Sequence, residues 1–206
     1  MMRLDKAFET KLSAKQGERA VIARITTTTV DRDHDVVLPA GVELRDFRKN
    51  PVVLYGHGEQ TYPIGSVPPG GIEKNADGLT AKVVFAGRPA DLPPEVEWPA
   101  DTVLDLFKQG VLRAFSIGFT VQSWRDANEK DKRKYGDGVE RVIEKWTLLE
   151  FSVVTVPANQ DALAIAVSKG LDWDSWTVRA LRVGDEPLRM PAPIVVVDPQ
   201  ALRVPM

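Results

Sequence analysis

Three residues have the types and surroundings for acyl-transfer chemistry, and they lie far apart in the chain: His57, Ser116 and Glu150. Ser116 stands in LRAFSIGFTV. Strand alternation puts Arg113, Phe115, Ile117, Phe119 and Val121 on one face, mostly core. Leu112, Ala114, Ser116, Gly118 and Thr120 take the other, a face of small residues around one hydroxyl with room for a substrate backbone. An ordinary strand serine facing solvent or a neighbouring strand fits the same pattern. Glu150 lies in TLLEFSVVTV, an apolar run of the kind that marks a strand covered on both faces. A carboxylate there needs a partner. Arg113 would make a buried ion pair, whereas His57 would make a catalytic one, because a carboxylate on one ring nitrogen fixes the tautomer and stabilises the imidazolium. His57 ends VVLYGH between Gly56 and Gly58, where the backbone is free and the ring can reach a cleft; a plain loop histidine is the simpler reading. Together the three supply a nucleophile, a base and an orienting carboxylate.

Other chemistries find no template. Asp31, Asp33 and Asp35 alternate around His34, but a calcium loop needs Gly next and Glu last, and Val36 and Val42 stand there. The cluster reads as a solvated acidic turn. There is no G-x-S-x-G elbow, phosphate loop, G-x-G-x-x-G or H-E-x-x-H. Cysteine is absent, which removes disulfides, thiol nucleophiles, Cys-ligated zinc and iron–sulfur clusters. With His34 and His57 the only histidines, any mechanism that needs imidazole must choose between them.

The elements that must position these residues are mostly strands. Residues 20–30 are rich in β-branched side chains and read as a strand, followed by a turn over 31–35. GVELRDFRKN has a short helical pattern ending before Pro51, and PVVLYGH is a compact strand. Residues 64–86 read as two strands around the 75–78 turn. Residues 100–110 have helical spacing, with Asp101 as N-cap and Gly110 as stop. The runs LRAFSIGFTVQSW and VERVIEKWTLLEFSVVTVPAN are expected to pair across a charged hairpin tip, RDANEKDKRKYGDG, and residues 161–169 return to helical spacing. Seven or eight strands and two or three helices, adjacent strands antiparallel, lead to the expectation of a mainly β (α+β) domain, a mostly antiparallel β-barrel with flanking helices.

The chain has 206 residues, enough for one sizeable core. Residues 1–19 read as a polar arm rather than a secretory leader, 20–170 as the domain, and 171–206 as an extended, proline-containing tail with one helix near 173–182. The tail's Ile194, Val195, Val196 and Val197 form a β-prone segment able to join a sheet edge. A net charge of -2 argues against binding nucleic acid by bulk phosphate neutralisation, and no apolar stretch reaches the ~18 residues of a membrane span. No nucleic-acid or membrane partner is expected.

TTTTVDRDHDVV, NPVVLYGH, PIGSV, GVLRAFSIGF and LLEFSVVTVPANQDALA, in this order over residues 20–166, resemble the tailed-phage prohead serine proteases, which are similar in fold to herpesvirus assemblins. The resemblance implies a Ser/His-type endopeptidase and an assemblin-like β-barrel. The family histidine falls on His57, the serine on Ser116 and the acidic residue on Glu150. His34 stands where the family has a glycine or small turn residue, which makes it a surface variant. The implied activity is cleavage of scaffold protein, or of a scaffold-like extension of the major capsid protein, inside the immature capsid in the host cytoplasm, followed by self-cleavage. No metal or organic cofactor is implied, and self-association into a homo-oligomer is compatible with it. The competing expectation is a non-enzymatic barrel that binds scaffold during capsid assembly.

Overall fold

The computed structural model describes residues 18–58 and 62–167. The expected tail, its helix near 173–182 and its Ile194–Val197 segment lie outside the described residues, as does the arm apart from Glu18 and Arg19.

Among the described residues, ten strands form one mixed sheet whose spine is β9 (Arg141–Val154), a strand of 14 residues. Along one edge of β9 runs β8 (Ala114–Asp126), antiparallel, from Ala114 opposite Val154 to Asp126 opposite Arg141. The two long runs of the sequence therefore pair as expected. Along the other edge lie three short strands, all parallel to β9: β2 (Asp35–Val37), β3 (Val42–Glu43) and β4 (Val52–Tyr55). They are pieces of one broken edge. Turns of 3-10 helix at Pro39–Gly41 and Phe47–Lys49 interrupt it, and these replace the helix suggested by GVELRDFRKN. Pro39 and Pro51 cannot donate to a ladder, which keeps each piece short. From β4 the path continues through β5 (Gly65–Ser66), β7 (Gly78–Phe85), β1 (Ala20–Thr27) and β10 (Ala164–Val167), with β6 (Ile72–Lys74) on β7.

This corrects the barrel expectation. The ladder path ends at β10 on one side and β2 on the other, so the sheet is open as well as mixed. A single bridge from Ala114 to Leu163 brings the start of β8 to the segment ahead of β10 without building a ladder. The antiparallel expectation assumed that neighbouring strands join through hairpins. That holds for β4 with β5, β6 with β7 and β8 with β9, but residues 35–55 pair in parallel with a strand about a hundred positions later.

Further corrections are local. Residues 161–169, expected as helix, hold β10, because a short apolar run carries no decisive period and the edge of β1 accepts it antiparallel. The charged tip holds a helix, α2 (Glu129–Tyr135), started by a reciprocal capping box between Asn128 and Asp131. The helix α1 (Pro99–Lys108) begins one turn earlier than Asp101 would cap it, since Pro99 suits the first helical position. Asp101 instead pairs with Arg19 at 2.6 Å, and Gly110 follows the helix with φ 72°. No helix among the described residues is long and apolar enough to cross a membrane.

The core beneath the start of β8 and the end of β9 is aromatic. Phe85, Phe107, Phe115, Phe151 and Phe47 form a continuous row, with successive ring centroids 5.9, 5.4, 6.1 and 5.9 Å apart. Phe107 comes from α1, whose Ala100, Val103, Leu104 and Phe107 are buried. Phe115 and Phe151 are fully buried and hold the two strands from one side. Their neighbours Ser116, Glu150 and Ser152 project to the other side, because successive side chains on a strand alternate.

Candidate active site

Strand register assembles the site. Ser116 pairs with Ser152 and Gly118 with Glu150 across the β8–β9 ladder, while Leu54 of β4 pairs with Ser152 from the opposite edge. All five residues share one sheet face. Past Gly118 the register shifts, so Phe119 faces Leu148 and Leu149 is left over and exposed. Such a bulge re-aims side chains next to it.

His57 arrives from the end of β4. The Gly56 amide still bonds to the Val153 carbonyl at 2.8 Å, as a further rung of the parallel ladder. The chain then takes two successive left-handed residues, Gly56 at φ 66° and His57 at φ 56°. Glycine adopts this freely, whereas a histidine pays on the order of 1–2 kcal/mol. The kink turns the ring back over β9. There Nδ1 donates to Oε1 of Glu150 at 2.7 Å, which leaves Nε2 without the proton in the neutral ring. The Glu150 side chain is 14% exposed and that of His57 42%. The second carboxylate oxygen of Glu150 accepts from the Ser152 hydroxyl at 2.7 Å, and that same hydroxyl oxygen accepts from the His57 backbone amide at 3.1 Å.

Of the two partners open to Glu150, the structure brings His57. Arg113 is exposed just ahead of β8, and its carbonyl accepts from Ala164. Ser116 is 7% exposed on the small-residue face and lies two residues from Gly118, but no hydrogen bond joins it to His57 among the described residues. A cavity of about 120 Å³ borders Ser116, lined further by Thr26, Asp31, Ile117, Phe119 and Asn159. Burial pushes the Asp31 carboxyl above its ordinary value, against the two backbone amides of Asp33 and Asp35 that it accepts.

His34 is also left-handed, at φ 63°, yet its Nδ1 lies 3.0 Å from the Gly138 carbonyl in a surface turn. Backbone conformation alone does not separate the two histidines; the carboxylate contact does. Among the described residues no three His, Asp or Glu side chains converge as a metal site would require. Ser152 has no role in the sequence reading, although it was legible as a polar side chain two positions from Glu150 and so on the same strand face.

Compared with known proteins, residues 8–173 match the model of the caudovirus prohead serine protease family. The chain belongs to this family. Over 174 residues it is 29% identical to the prohead protease of Escherichia phage T5, a match covering 79% of this chain and 70% of that protein. Over 173 residues it is 27% identical to the capsid polyprotein of Pseudomonas phage PAJU2, covering 83% of this chain but only 23% of that protein. No solved structure matches it.

Proposed function

We propose that this prohead-protease family member is a serine endopeptidase of capsid maturation with Ser116 as nucleophile, His57 as general base and Glu150 as orienting carboxylate. The observation that supports it most is the 2.7 Å contact between His57 Nδ1 and Glu150. It points the free Nε2 lone pair away from Glu150, to take the Ser116 proton as Oγ attacks the scissile carbonyl. The imidazolium then gives its proton to the leaving amine, and water releases the acyl group by the same steps in reverse order of roles. Glu150 lowers the cost of the transient imidazolium. Shortening the distance from Ser116 to the base is left to substrate binding, which often tightens catalytic hydrogen bonds.

The substrates in this reading are scaffold protein or a scaffold-like extension of the major capsid protein, cut inside the immature capsid in the host cytoplasm, and then the protease itself. Likeness to one portion of a capsid polyprotein supports a capsid protein as the partner. The test is covalent labelling by a fluorophosphonate with the modified peptide identified, beside intact masses of wild type and Ser116→Ala. The proposal requires the label on Ser116, no label in Ser116→Ala or His57→Ala, and self-cleavage only in wild type. An unlabelled, unprocessed wild-type chain would instead mark a non-enzymatic scaffold-binding protein.

A further inference from the structure

The Glu150 carboxylate is held by more than His57. Its neighbours make a closed ring of hydrogen bonds: the His57 amide to Ser152 Oγ, the Ser152 hydroxyl to Glu150 Oε2, and His57 Nδ1–H to Glu150 Oε1. One hydroxyl thus bonds at once to the backbone of the histidine and to the side chain of its carboxylate. Ser152 is fully buried on a central strand, paired on both edges, so its own position is fixed by two ladders. The second restraint is steric. Gly118 lies directly across from Glu150, and a Cβ there would overlap Oε1 and stand 3.0 Å from Cδ. The glycine is required for space and not for an unusual backbone. Only a residue without a side chain lets the carboxylate lie over β8 with the oxygen that meets His57.

We propose that Ser152 and Gly118 are positioning residues that lock the Glu150 carboxylate in the one orientation that serves His57. This rests on the catalytic reading of His57 and Glu150 above. A glutamate side chain free to change rotamer spends only part of its time against the ring. The hydroxyl on one oxygen and the bare backbone under the other remove the alternatives before substrate arrives, which is what a supporting shell contributes to a site.

The experiment compares fluorophosphonate labelling rates of the full chain in wild type, Ser152→Ala, Ser152→Thr, Gly118→Ala and Glu150→Gln. Each variant's fold is checked by near-ultraviolet circular dichroism, and the His57 Nδ1–H proton is followed by NMR. Losing one hydrogen bond to a charged group predicts a slowing of about 10- to 100-fold in Ser152→Ala. Gly118→Ala should slow labelling at least as much. Ser152→Thr, which keeps the hydroxyl, should recover most of the rate. The Nδ1–H resonance should broaden or vanish in the two alanine variants and persist in Ser152→Thr. Combining Gly118→Ala with Glu150→Gln should slow labelling by less than the two single effects multiplied together, because both act through one side chain. Wild-type labelling and an unchanged Nδ1–H signal in either folded alanine variant, with Glu150→Gln slow, would overturn the positioning role and leave the catalytic reading intact. Wild-type labelling in Glu150→Gln would overturn both. Should Ser152→Ala fail to fold, Gly118→Ala, at a partly exposed position, decides by the same two readouts.

Discussion

Glu150→Gln is the substitution whose effect the structure sizes best. It keeps the strand position, the side-chain volume and an oxygen able to accept from His57 Nδ1; it removes the charge and puts an NH2 group where the Ser152 hydroxyl finds its acceptor. Two unit charges 2.7 Å apart attract by about 6 kcal/mol at an effective dielectric of about 20. Glu150 is largely buried, but the His57 side chain is 42% exposed, so water screens part of this field. Halving it for that exposure leaves about 3 kcal/mol to stabilise the imidazolium. At about 1.4 kcal/mol per tenfold, labelling of Ser116 should slow about 150-fold. The assay is the pseudo-first-order rate of fluorophosphonate labelling at neutral pH and at several salt concentrations. Near-ultraviolet circular dichroism and the melting temperature verify the fold. The wild-type rate should fall little with salt, since the pair is in direct contact and sheltered on the carboxylate side. A Glu150→Gln rate within about threefold of wild type, a difference of about 0.7 kcal/mol, would refute the charge argument.

Three more outcomes are expected. His34→Ala should label at the wild-type rate, because His34 contacts the Gly138 carbonyl and not Glu150; loss of labelling there, with His57→Ala active, would reverse the choice of histidine. Arg125 bonds to both oxygens of Asp131 and holds its carboxyl down at about 2, so the folded state gains stability from this pair above about pH 4 and loses it as pH falls toward 2. The melting-temperature deficit of Asp131→Asn should therefore be largest at neutral pH, shrink below about pH 4 and disappear only as pH falls through about 2. Phe151→Ala, which removes a fully buried ring packed on Phe115 and Phe47, should cost about 3–5 kcal/mol in urea unfolding.

The pairing of residues 114–126 with 141–154 was legible in the sequence because both are long, rich in strand-forming residues and adjacent in the chain. The parallel strands on the far edge of β9 were not. A run as short as Val52–Tyr55 states that it is a strand but not which edge it will join, and nothing local to it announces a partner at Phe151–Val153. The same limit hid β10, whose four residues read equally well as helix until β1 supplies the hydrogen bonds. The buried position of Glu150 followed from the apolar run around it, and the cost of burying a charge demanded a partner. The residues alone left Arg113 and His57 both open, the resemblance favoured His57, and β4 joining β9 brings His57 to the carboxylate. The capping box of α2 is written as Asn128 and Asp131, but a net mixture of charges masked it as a plain hairpin tip.

The parallel pairing of β4 with β9 also sets when the site can exist. His57 and Glu150 are separated by 93 positions, so at ~5–20 residues per second the histidine is made about 5 to 20 s before its carboxylate. Ser116 is synthesised within that interval too. A nascent chain therefore holds Ser116 and His57 without the strand whose register brings a carboxylate to the histidine. Parallel, non-local contacts are also slow to form after release, since the intervening loop must be closed before any bond repays it. Completion of β9 thus works as a timer built into chain topology: the pair cannot form on a half-made copy, and any fragment that ends before residue 150 cannot contain it.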